Sequence, residues 1–298
     1  MHRLTRFAWA TLAFNVVVIL MGAVVRATGS GAGCGRSWPS CRGQVVPALE
    51  GATAVEFAHR ALSGVALALV AVLVVWVLVR VPAPDQVRVT AGLSLVAIIG
   101  EALIGAAIVL FEWVADDASV ARAISVPLHL VNTFLLLTGL TLTAHLLGGG
   151  QRLRPSVHPV ARRWLASGAA AFLLIAATGA VTALADTLFP KTGSAPSDVE
   201  HFLTDIRTLH PIVALVVVLL AASALVRGGQ GGDTVQRLSA LVGIQIVTGV
   251  AMIFLDLPLW LRITHLAFAD ILWVGYVLAS AHLLAGESVG SESVATVP

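Results

Sequence analysis

Eight long apolar runs dominate the chain, at roughly 7–26, 56–80, 89–111, 123–147, 163–184, 206–226, 235–254 and 259–284. A helix needs about 20 mostly apolar residues to cross a bilayer. In lipid only helices and closed barrels satisfy every backbone polar group. These runs are too long and too uniformly apolar for the alternating strands of a membrane barrel. The expected fold class is therefore an all-α polytopic membrane protein with eight transmembrane helices. Composition excludes the alternatives. Charged residues make up 11% of the 298 residues, against about 25% in soluble domains, too few to cover a water-facing surface. A net charge of +2 offers nothing to a nucleic acid. The first run follows Arg3 and Arg6 as a signal peptide would, but it extends to about Val25 with no small-residue cleavage site leading into a soluble domain. It reads as a retained first helix.

An even number of spans puts both termini on one side. Arg3 and Arg6, Arg80 and Arg88, the group Arg152, Arg154, Arg162 and Arg163, and the pair Arg227 and Arg237 all fall on that side. The opposite loops carry Glu50, Glu112, Asp116, Asp117, Asp186, Asp198, Glu200 and Asp205. The positive-inside rule makes the termini cytoplasmic. The expected location is a prokaryotic plasma membrane, with loops 27–55 and 185–205 outside. Cys34 and Cys41 then sit in an oxidising compartment, where a disulfide between them is reasonable.

The halves of the chain resemble each other. "GEALIGAAIVLF" in span three matches "IQIVTGVAMIF" in span seven, pairing Gly105 with Gly249 and Glu101 with Gln245. Spans four and eight align His129 with His265 and share a terminal "AHLL"; spans two and six each carry a histidine near the start, His59 and His210. Four spans per half give both halves the same orientation, related by an axis along the membrane normal. The expected organisation is two four-helix bundles, residues 1–149 and 150–298.

Of nine histidines, His2 and His158 fall in cytoplasmic segments, His201 in an outer loop, and His145 and His282 near the inner ends of spans four and eight. The other four, His59, His129, His210 and His265, lie near the outer start of the even-numbered helices, two in each half. Ionisable groups in a membrane normally face a bundle interior and a partner. Two imidazoles per bundle are poor for a closed zinc site, which takes four ligands. They suit a heme, whose porphyrin leaves two axial positions. Three residues before His210 and His265 stand Arg207 and Arg262, on roughly the same helix face, where a guanidinium suits a heme propionate. In the first half the corresponding residues are Glu56 and Val126. Glu56 reads either as a reactive carboxylate or as an acid at a helix start, where the dipole favours it.

The stretch "GAVVRATGSGAGCGRSWPSCRG" at 22–43, followed by "EFAHR" at 56–60, resembles the heme A synthase family. The resemblance rests on the glycine-rich run, on the cysteines around Trp38 and Pro39, and on the Glu56, His59, Arg60 box, and it extends over nearly the whole chain. That family oxidises a pyrrole-ring methyl group of heme O to a formyl group, giving heme A for terminal oxidases. The resemblance implies that His210 and His265 ligate a resident heme b, and that His59 and His129 hold heme O. It further implies that Glu56 is the catalytic carboxylate and that Cys34 and Cys41 are disulfide-bonded. Some members carry a second cysteine pair in the later outer loop, which has none here.

Two successive hydroxylations would give a gem-diol that loses water to the aldehyde, with Glu56 orienting water, taking a proton or stabilising developing charge. Arg26 reads either as a propionate partner or as an arginine at the membrane interface. Glu101, in mid-membrane, reads either as a protonated structural acid, the preferred reading, or as part of a proton path. Asp270, His145 and His282 receive no role. The implied partners are heme O, the lipid bilayer, an electron donor or acceptor, and the farnesyl transferase that would supply heme O; the oligomeric state is left open. The competing readings are a di-heme cytochrome that only moves electrons, a transporter and a structural assembly factor.

Overall fold

A computed structural model of the chain describes residues 1–154, 156, 159–189, 202–228 and 232–285, with 219–228 and 233–235 described through their backbone alone. His158, Asp198, Glu200, His201 and the side chain of Arg227 lie outside the described residues.

The described elements are α1 (His2–Ala27), a 3-10 turn (Ser30–Ala32), α2 (Gly51–Arg80), α3 (Gln86–Leu110), α4 (Val120–Leu147), α5 (Pro159–Leu188), a short α6 (Phe202–Ile206), α7 (Leu209–Gly228), α8 (Asp233–Phe254) and α9 (Leu259–Leu283). Among the described residues seven helices are long and apolar enough to cross a membrane: α1 to α5, α8 from Gln236, and α9. α7 is a further long helix of 20 residues. Val75, Val79, Val96 and Leu103 are each more than half exposed on helix exteriors. Apolar bands of that kind are rare on water-soluble surfaces and ordinary against lipid. The chain is an all-helical, multi-pass membrane protein.

The sixth apolar run departs from a single continuous helix. Arg207 and Thr208 form a turn between α6 and α7. Pro211, in the first turn of α7, has no N–H to donate, so a helix starts there without loss. Arg207 therefore does not share a helix face with His210. The first-half helices also start earlier than their apolar runs, which places His59 and His129 in the third turn of α2 and α4. Polar residues at a helix start are invisible to a hydropathy reading.

Helices α1 to α4 pack on one another, α5 on α7 and α8 on α9, while α4 also meets α5 and α9. The two groups share one core. Leu73 and Val77 of α2, and Phe134, Leu137 and Leu140 of α4, are buried in one cluster with Trp273 and Val277 of α9. The Trp273 ring lies 5.4 Å from Phe134 and 4.9 Å from Phe172 of α5. Its Nε1 donates to the Phe134 carbonyl at 2.8 Å, and Tyr276 one turn on donates to the Leu165 carbonyl of α5. A tryptophan whose indole N–H finds a buried acceptor can sit at a junction of three helices without leaving that donor unsatisfied.

Candidate functional site

The loop after α1 is pinned to the start of α2. A Cβ on Gly33 would come within 2.4 Å of the Ala52 backbone, so only glycine permits this approach. The Gly33 carbonyl accepts from Thr53 Oγ1 at 2.8 Å and from Arg42 Nε at 2.9 Å. Cys34 and Cys41 are fully buried and disulfide-bonded, with Cα atoms 4.5 Å apart. The Cys34 N–H donates to Glu56 Oε2 at 2.7 Å. Arg60, one turn later on α2, donates through Nε to Glu56 Oε1 at 3.1 Å and through Nη1 to the carbonyls of Ser37 and Ser40. Glu56 is thus a buried carboxylate, 3% exposed, paired with a guanidinium and a backbone amide. The box Glu56, His59, Arg60 serves two faces of α2: the acid and the arginine grip the loop, and the histidine turns to α1.

Glycines make room for the imidazoles, and they repeat. A Cβ on Gly22 of α1 would lie 3.0 Å from His59 Cε1, and one on Gly179 of α5 would lie 3.0 Å from His210 Cε1. Gly249 of α8 stands in the same way 3.3 Å from His265 Cε1. Its counterpart Gly105 has no such neighbour; His129 instead meets the Glu101 carboxylate, Oε2 lying 2.7 Å from Nδ1. His59 interacts electrostatically with His129, and His265 with His210, so each half gathers its own two imidazoles.

The chain matches the family COX15-CtaA, cytochrome oxidase assembly protein, over residues 5–54 and 49–277. The chain belongs to the COX15-CtaA family. It is 41% identical, over 95% of its length, to a protoheme IX farnesyltransferase of Thermus thermophilus, of which the match covers 48%; the chain thus spans about half the length of that relative. It is 28% identical to a heme A synthase of Geobacillus kaustophilus, over 92% of this chain and 90% of that one. It is 43% identical to a heme A synthase of Bacillus licheniformis over 94 residues, 32% of this chain and 31% of the relative.

In this COX15-CtaA chain the residues present fit an iron porphyrin in each half. No group of three or more His, Cys, Asp or Glu able to hold a metal ion occurs among the described residues. Two imidazoles and a planar macrocycle need no such group. Arginines stand near the imidazoles' ends of the helices. Arg26 of α1 lies within electrostatic reach of Arg122 of α4, Asp186 of α5 and Arg262 of α9. Arg262 Nε is buried with no partner, a donor suited to a carboxylate. Arg26 reaches Thr187 Oγ1 at 3.4 Å.

Arg207 is placed differently from its sequence reading. Its Nε stands 2.9 Å from Asp186 Oδ1, and its Nη2 donates to the carbonyls of Ala185 and Phe189. It clamps the end of α5, where its charge suits the helix dipole. Four further residues come into view. Arg122, 5% exposed, was missed because an arginine at the edge of an apolar run looks like an interface residue. Asp270 is fully buried with both oxygens unpartnered. His145 and His282 meet edge to face, ring centroids 5.2 Å apart, in the last turns of α4 and α9.

Proposed function

We propose that this chain is a heme A synthase, a membrane oxidoreductase that converts a pyrrole-ring methyl group of heme O to a formyl group. The observation that carries the reading is the repeated imidazole pair, one in each half, with His59 set on Gly22 of α1 and His210 on Gly179 of α5. The similarity to two proteins named heme A synthase supports it. His59 and His129 of the half 1–149 hold heme O. His210 and His265 of the half 150–298 hold a resident heme b, which supplies electron transfer to or from an external partner. Arg262 and Arg26 meet propionates at the rim, and Arg207 keeps α5 in register with them. Both termini are cytoplasmic and the heme sites lie near the outer face, where the disulfide finds its oxidising compartment.

Glu56 is the catalytic carboxylate of this proposal. Arg60 and the Cys34 N–H orient its oxygens. A proton released from water is taken at Oε1 or Oε2, beside the Arg60 guanidinium. Gly33, Cys34 and Cys41 of the loop are buried beside Glu56. The Thermus relative, named for farnesyl transfer, is about twice as long as the part that this chain matches. We infer from this that the present chain works beside a farnesyl transferase that delivers heme O.

The test is expression in a host that makes heme O and lacks heme A, followed by chromatography of the extracted hemes. Heme A in the extract is the expected result. An extract holding protoheme alone would replace this reading with a di-heme cytochrome that only transfers electrons. His210→Ala or His265→Ala should remove the low-spin heme spectrum of the second half.

A further inference from the structure

The four imidazoles share a repeat, but their outer nitrogens do not share an environment. His210 Nδ1 lies 3.1 Å from the Ile175 carbonyl, and His265 Nδ1 lies 2.9 Å from Thr248 Oγ1. Both partners are neutral. His59 Nδ1 is buried without a partner. Among the described residues, His129 is the one of the four with a carboxylate oxygen in contact with a ring nitrogen, Glu101 Oε2 at 2.7 Å; His210 feels the Asp186 charge from further away.

The carboxylate is held in place from α4. Asn132 Nδ2 donates to Glu101 Oε1 at 2.5 Å and Thr133 Oγ1 to Oε2 at 3.1 Å. Asn132 is itself fixed on the Ala97 carbonyl at 2.8 Å. It fills the space beside Gly100, where a Cβ would come within 3.0 Å of it. His129 Nδ1 and Glu101 Oε2 are within contact distance without a formed hydrogen bond, and rotation about the broad Cβ–Cγ torsion of the ring would bring the N–H onto the oxygen. In the other half the corresponding residue is Gln245. Its Nε2 stands 3.1 Å from His265 Nε2, the opposite nitrogen of the ring. One sequence position thus carries a carboxyl group behind the imidazole in one half and an amide before it in the other.

We propose that Glu101 is a positioning residue of the first half: it accepts the Nδ1–H of His129, turns the Nε2 lone pair into the pocket and makes this imidazole a stronger donor to iron than the other three. The proposal rests on the reading of His129 as an iron ligand. A carboxylate behind a metal-bound histidine fixes its tautomer and raises its basicity, and removing such a partner typically weakens metal binding by about 10- to 100-fold. A more basic axial imidazole favours ferric over ferrous iron. The first-half heme then has a lower midpoint potential than a neutral partner would give it.

The experiment is potentiometric titration of the purified protein carrying both hemes, with heme retention measured alongside. Glu101→Gln should raise the potential of the first-half heme and weaken its retention by about 10- to 100-fold, leaving the second-half component where it was. Glu101→Asp keeps the charge but draws it back, and should shift the potential the same way by less. If Glu101→Gln does not fold, Glu101→Asp alone decides. An unchanged first-half potential and retention in a folded variant overturns the proposal. His129→Ala separates the two claims. Loss of the first-half heme there, with Glu101→Gln silent, removes the positioning role only; retention of that heme in His129→Ala removes the ligand assignment itself.

Discussion

Glu56 Oε2 accepts a hydrogen bond from the backbone N–H of Cys34 at 2.7 Å, so the acid of α2 is tied to the disulfide loop that covers it. The proposed reactive carboxylate and the wall of its site are one construction. Gln can keep the contact to Cys34 but cannot act as a base. Glu56→Gln should therefore retain both heme absorbances and yield no formyl product, read by chromatography of extracted hemes. Near-normal heme A from Glu56→Gln would remove the catalytic assignment.

Arg60 is the other half of that construction, its side chain 12% exposed against 4% for Glu56. Removing one member of a buried ion pair leaves an uncompensated charge, at a cost of about 3–5 kcal/mol. Arg60→Leu should lower the thermal midpoint in detergent and expose the loop to proteolysis near Ser37 and Ser40, whose carbonyls it also holds. A midpoint equal to the parent's would show that the pair contributes nothing.

The disulfide closes a short loop, with a sequence separation of 7. Chain entropy for a loop of this size gives about 2–3 kcal/mol. Unreduced protein should resist alkylation at both cysteines, and Cys34→Ser with Cys41→Ser should lower the midpoint accordingly. Two alkylatable thiols in unreduced protein would contradict the bond.

Gly22 and Gly179 offer a test of the repeat that touches no histidine. A larger side chain at either would press on the neighbouring ring, where a Cβ alone already comes within 3.0 Å. Gly22→Val should weaken the first-half heme and spare the second; Gly179→Val should do the reverse. Absorbance after heme extraction reads both, and loss of both hemes from either variant would argue against independent sites.

Trp273 joins α9 to α4 and α5 through its ring contacts and its bond to the Phe134 carbonyl. Trp273→Ala should cost about 3–5 kcal/mol and leave the outer loop intact, since none of its contacts reaches that loop. A midpoint within a degree of the parent's would show that the halves are held together elsewhere.

Much was legible from the chain alone. Lipid admits few backbone solutions, so apolar runs of spanning length fix helices regardless of what packs on them. The glycine-rich run, the cysteine pair and the Glu56–His59–Arg60 box were readable because each is local in sequence. The fates of the ionisable groups were not. Arg207 sits three residues before His210, yet a turn intervenes and its guanidinium closes on Asp186. Glu101 reads in sequence as a lone acid in mid-membrane, yet it meets His129, Asn132 and Thr133 of the next helix. Sequence spacing determines which helix face a side chain leaves from. Which charge it finds there depends on how neighbouring helices rotate and slide into contact, and only tertiary packing decides that.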